Sequence, residues 1–316
     1  MSVRNMRLRI RPTVVCTFAI LFAASQIAVA QVPVSTGGKG RKLAPGVLQV
    51  IEPAAVRGET AEGPVDLPMV ALNPDLDWQP NFDPKTEIVL ENAKQVTFRK
   101  EVHCLQFAFK PVRMIEVNGK VVWYLLYRVR YLGGDLKPVP EPDKYQNEVY
   151  GKPQAVSADW VRFVPTFRLD SLGMGKVYMD RIVPGAVEAI AAKERVGQPI
   201  LDSKQIMKEK VELTTATKDN ALWGVATWTD VDPRIDFFAV TIQGLTNAQK
   251  LETAGDKIKY LQKTLVLHFS RPGDTVLELE DQIRFGIPAL KDEERQKYVL
   301  SQYGQKERLD YLWDYR

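Results

Sequence analysis

Cysteine and histidine are nearly missing from this sequence, with two of each in 316 residues. Cys16 lies in an apolar run near the start, so removal of that segment leaves Cys104 alone and no intrachain disulfide. Zinc-ligand spacing is absent, and so is the Gly-x-Ser-x-Gly elbow of serine hydrolases. His103 and Cys104 are neighbours, and neighbours on a strand point to opposite faces. Within that strand this excludes a two-ligand metal site and a thiol–imidazole pair. His103 shares the parity of Leu105, Phe107 and Phe109 and is expected on a core-facing side. His268 has the opposite parity to Leu267 and Phe269 and is expected at the surface. The run 37-GGKGRK-42 lacks the spacing of a phosphate loop and has no strand before it.

An excess of charge is lacking too. Residues 1–30 read as a secretory signal peptide: Arg4, Arg7, Arg9 and Arg11, then the apolar run 13-TVVCTFAILFAA-24, then 28-AVA-30 before Gln31. About twelve apolar residues are too few for a bilayer core, which takes roughly twenty. A retained anchor is the weaker reading, and no membrane span is expected after cleavage. Taking those four arginines from 43 basic residues leaves 39, equal to the 39 acids. A neutral mature chain has no broad basic surface, so nucleic acid is not an expected partner. With 45% apolar and 26% charged residues the chain is globular.

What is present is alternation. After a Pro- and Gly-rich arm at 31–85, period-two patterns begin at about residue 86. Asn118 and Gly119 sit between two β-rich runs, a strong hairpin signal. On the second of these, Trp123, Leu125, Tyr127, Val129 and Tyr131 point one way, and Tyr124, Leu126, Arg128 and Arg130 the other. The first face is expected to be core, and the second to begin apolar and end wet. Further strands are expected at 46–52, 160–169, 176–183, 222–229, 235–244, 258–270 and 276–285, with a type II turn at 271-RPGD-274. Helices are expected at 184–197, stopped by Gly197, and at 292–304, capped by Asp292; 204–213 is ambiguous between helix and strand. The expected fold is mainly β: two antiparallel β-sandwich-like domains, 86–183 and 215–316, joined by a helical connector at 184–214. The similar runs 127-YRVRYLGG-134 and 238-FAVTIQGL-245 suggest duplication, although sandwich strands share such patterns without common descent.

Two constellations invite a site. In 228-WTDVDPRIDFF-238, Asp230, Asp232 and Asp236 fall within seven residues, but Asp-Pro initiates turns and no calcium-loop register is present. The turn is the first reading. Its alternative is a Ca2+ site in which Asp230 and Asp232 are joined by Glu280 and Asp281 of the acidic run 278-ELED-281. Otherwise no cofactor is expected. The alternating Tyr311, Trp313 and Tyr315 would suit a sugar-stacking surface, yet a last strand closing a sheet shows the same alternation.

The runs 121-VVWYLLYRVRYLGG-134, 222-LWGVATWTDVDPRIDFF-238, 271-RPGD-274 and 307-ERLDYLWDYR-316 resemble those of a family of uncharacterised exported bacterial proteins. The resemblance implies export and carries over no activity, cofactor or catalytic residue. The expectation is an exported, non-catalytic protein of the periplasm, cell envelope or extracellular space, binding a protein or polysaccharide or acting as a scaffold. A carbohydrate-binding module or a metal-assisted hydrolase using the acidic loops is the alternative.

Overall fold

The computed structural model describes residues 47–54, 101–142, 144–146, 148–254, 257–272, 279 and 282–316. The signal segment, Glu280 and Asp281 lie outside them, as do most of the arm and the second half of 271-RPGD-274. The class is the expected one, mainly β with antiparallel sheets in a sandwich-like arrangement.

The first sheet is centred on β4 (Lys120–Arg130), the strand whose two parities were both apolar at the start. One edge of β4 carries β2 (Gln106–Phe109) and β3 (Arg113–Val117) end to end, and β1 (Gln49–Ile51) pairs with β2. The other edge carries β12 (Leu222–Thr229), beyond which β10 (Ile200–Leu201) runs parallel. The β3–β4 turn is made by Asn118 and Gly119 at φ 53° and 73°, as a type I′ hairpin requires. The second sheet is built on β13 (Phe237–Gln243). It lies between β15 (Lys257–Ser270) and β8 (Thr166–Ser171), with β9 (Val177–Met179) outside β8. β16 (Arg284–Phe285) and β17 (Tyr311–Tyr315) pair with β15.

The stretches 86–183 and 215–316, expected as separate domains, share both sheets: β4 pairs with β12, and β8 with β13. One aromatic-rich core joins them, with Phe107, Phe109, Trp123, Tyr127 and Trp228 facing Phe167, Phe238, Phe269 and Phe285. Alternation marks which side of a strand is buried; it carries no information on which strand lies beside it.

Each outer face has a helix. α1 (Ala186–Glu194) lays Ala186 and Ile190 on Val122, Tyr124, Leu126 and Val225 of the first sheet. It ends at Arg195 in the left-handed region and not at Gly197. The ambiguous 204–213 segment divides into α2 (Ser203–Ile206), begun by a capping box of Asp202 and Gln205, and β11 (Val211–Glu212). α3 (Glu293–Gln302), capped by Asp292 as expected, packs Val299 and the following Tyr303 on Phe237, Leu172 and Ile287 of the second sheet's outer side. The expected strand at 276–285 is confined, among the described residues, to β16.

Tyr127 on β4 and Tyr131 just past its end share one face and differ in their polar ends. The Tyr131 hydroxyl donates to Asp135 Oδ2 at 2.6 Å and accepts from the Ala158 N–H at 2.8 Å. The Tyr127 hydroxyl, equally buried, has no hydrogen-bond partner among the described residues, and its ring lies where a Cβ on Gly224 would fall, 2.4 Å from Cζ. Tyr131→Phe is therefore expected to cost about 1–2 kcal/mol, and Tyr127→Phe to be neutral or stabilising, in urea unfolding. Equal losses would contradict this assignment.

Candidate functional site

The aspartate-rich turn is closed by cations of the chain itself. Asp230 ends β12 in the left-handed region, at φ 57°, and is exposed. Asp232 accepts from Arg234 through Nε at 3.0 Å, Nη2 at 2.9 Å and the backbone N–H at 3.1 Å, and from Lys176 Nζ at 2.7 Å. The hydrogen bonds from Arg234 and then Lys176 hold its carboxyl well below the usual aspartate range. A carboxylate so engaged attracts a metal ion weakly, because the Lys and Arg charges must be displaced or tolerated. Among the described residues no three of His, Cys, Asp and Glu come together in a metal-sized group.

Tyr311, Trp313 and Tyr315 lie on β17 opposite Leu267, Leu265 and Lys263. Trp313 packs on the core and receives Lys263 Nζ 5.5 Å from its ring centroid. Tyr311 is 40% exposed and Tyr315 partly buried. The side of β17 that bears these rings is thus the one that helps to close the sandwich.

His268, expected at the surface, is 2% exposed. Its parity does place it on the outer side of the second sheet, but Tyr303 and the chain at 309–310 cover that side. The Tyr303 ring centroid is 5.1 Å away, and Nδ1 is 2.6 Å from the Leu309 carbonyl oxygen. That oxygen only accepts, so Nδ1 carries the proton; burial lowers the pKa and keeps the ring neutral. His103 is partly buried, and burial lowers its pKa to about 4. Cys104 is buried, bridging by its backbone to Thr246. Two acids set into the fold are structural ties. Asp180 accepts from the Thr227 N–H at 2.7 Å and from the Ser203 hydroxyl, while Glu194 binds Lys110, Arg113 and Tyr124.

The outer face of the second sheet is covered by α3 only at the Phe237–His268 end. At the other end a shallow cleft of about 230 Å³ is lined by Thr166, Arg168, Met179, Thr241, Gln243, Thr264 and Arg316. Its floor is ordered by its own hydrogen bonds: Thr241 Oγ1 donates to the Arg168 carbonyl at 3.2 Å, and Gln243 Nε2 to Thr264 Oγ1 at 3.4 Å. Arg168 is aligned by Asp170, at 2.8 and 3.0 Å, and Arg316 by Asp314 at 2.9 Å. Met179, half exposed, forms part of the rim. The cleft is smaller than the roughly 300–1,000 Å³ of small-molecule pockets, and holds hydroxyl, amide and guanidinium groups without an acid–base pair. No local sequence pattern marks it, because its residues come from four strands and from Arg316. The signal was there in Thr166 and Arg168, Thr241 and Gln243, and Thr264, which are polar groups on the second parity of three strands that prove adjacent.

No protein-family model, curated protein or solved structure matches this chain.

Proposed function

We propose that the chain is an exported, non-catalytic binding protein of the cell envelope, holding an extended polymer across the bare half of its second sheet. The single observation that carries this reading is the cleft itself. One half of a sheet face is sealed by α3, and the other is left open with hydrogen-bonding groups in fixed positions. A sheet face presents such groups in rows, which suits a ligand lying along it better than one enclosed by it. Export rests on the basic start and short apolar run of residues 1–24. Among the described residues no helix is long and apolar enough to cross a membrane.

The test fills the cleft from its rim. Thr166 and Met179 are exposed, so Thr166→Trp/Met179→Trp blocks the site without entering the core. Envelope polymers, one batch digested with proteinase and one with glycosidases, are passed over immobilised protein. Retention of one class by the parent chain and its loss in the unchanged-Tm variant is the expected result. Equal retention by both proteins would reject the cleft, and turnover of the retained polymer would reject the non-catalytic reading.

A further inference from the structure

Away from the cleft, an exposed tryptophan sits beside two cations that have no acid partner among the described residues. β7 (Trp160–Val161) pairs with β11 so that Val161 faces Val211 and Trp160 faces Glu212. Val161, Val211 and Phe163 are buried in the core, which pins the strand pair that carries Trp160, while Trp160 itself is 39% exposed. Lys210 Nζ lies 4.5 Å and Arg162 Cζ 5.6 Å from the ring centroid. By the register, residues 162 and 210 face each other one step beyond the Val161–Val211 pair. Both cations therefore approach the indole from the same direction along the strand. Two like charges across a ladder repel, and an anion between them removes that cost.

The neighbouring acids do not neutralise them. Glu212 is bound to Lys218 at 3.1 Å, and neither Asp159 nor Glu209 comes within ion-pair distance of Arg162 or Lys210. Among the described residues, the side chain of Arg162 makes a long hydrogen bond, 3.5 Å, to the Met207 carbonyl. Lys208, in the same loop, is exposed. A chain without net mature charge has here a local positive spot with a ring in it.

We infer that Trp160, Arg162 and Lys210 form a binding site for an acidic polysaccharide. The C–H face of a sugar ring stacks on the indole, and the carboxylate of a uronic-acid residue lies between the two cations. Charge complementarity selects the anion, and the single ring selects the sugar. A membrane surface is disfavoured because Trp160 is the one exposed large apolar side chain on β7, β11 and the 207–210 loop. The site does not depend on the cleft.

The test is gel retardation of the full chain with polygalacturonate as probe, beside neutral dextran, polyglutamate and phosphatidylglycerol vesicles. Polygalacturonate is expected to retard the parent chain, and added salt to weaken it. Dextran is expected to leave it unmoved, and polyglutamate and vesicles to act more weakly. Trp160→Ala, and separately Arg162→Gln/Lys210→Gln, each weaken binding about tenfold with Tm unchanged, while Trp160→Tyr keeps most of it. Equal retardation by polyglutamate, tighter binding to vesicles, or an unaffected Trp160→Ala variant would overturn the assignment.

Discussion

Replacing Glu194 by alanine lowers the unfolding free energy by about 3–5 kcal/mol, because it strands a buried cation. The carboxylate is 1% exposed and takes three hydrogen bonds: Lys110 Nζ at 2.7 Å, Arg113 Nη1 at 2.8 Å and Tyr124 Oη at 2.7 Å. Burial pushes its pKa up. The bonds from Lys110 and Tyr124, with the charges of Arg113 and Lys110, outweigh that and keep it below the ordinary glutamate range. Glu194 is also the last residue of α1, so the ion pair fixes the helix on the first sheet where its apolar residues end. Glu194→Gln retains an acceptor and loses the charge, and should fall between alanine and the parent. The depressed pKa gives the sign with pH: the contribution is whole above the unfolded glutamate value and declines as pH falls through the folded one. Urea midpoints with an unchanged m-value measure the loss. A cost below about 1 kcal/mol would show the cluster to be solvated, as exposed ion pairs are.

How far such features were legible varies by element. Along β4 both faces are legible, because Trp123 through Tyr131 and Tyr124 through Arg130 keep one parity for five and four residues respectively. The Asn118–Gly119 turn and the Asp292 cap were legible because their chemistry is local. What failed was long-range. Nothing in the β4 or β12 sequence names the other as neighbour, so one interleaved sandwich read as two domains in series. His268 was assigned the right face, yet whether that face is wet depends on α3 and residue 309, some forty positions later. The α1 stop moved from Gly197 to Arg195 because a non-glycine residue accepts the left-handed conformation there. The candidate binding residues were the hardest. Trp160 stands on a two-residue strand, too short for any period, and its cations come from the same strand's end and from a loop 50 residues away.

His103 makes the fold acid-sensitive, and Gln in its place removes its share of the stability slope between pH 6.5 and 4. Segment 101–105 is the root of two ribbons, β5 (Asp135–Pro142) with β6 (Glu148–Val156), and β14 (Gln249–Ala254) with the first half of β15. Val102 exchanges both backbone hydrogen bonds with Leu136, at 2.9 Å each, and the His103 N–H donates to Asn247 Oδ1 at 2.9 Å. Asn247 in turn donates to the Glu101 carbonyl at 2.7 Å. The nearby charged pair, Glu101 and Lys137 at 3.0 Å, is internally balanced and offers no net partner for an imidazolium. Burial alone lowers the His103 pKa from 6.5 to about 4. Between those values the unfolded chain holds the extra proton. Stability therefore drops by about 1.4 kcal/mol per pH unit as pH falls, roughly 3 kcal/mol in all, and levels below pH 4. Asp135 and Asp180, whose pKa values burial raises, slope the other way, and His268, whose pKa burial lowers, slopes the same way, so the parent curve alone does not isolate His103. The difference between the parent and His103→Gln does, since both carry the same carboxylates and the same His268. It should change by roughly 3 kcal/mol across the window and be flat above pH 7. Hydrogen exchange should localise the acid opening to amides 101–105, 135–137 and 245–248. A difference curve without slope would place the imidazole in water.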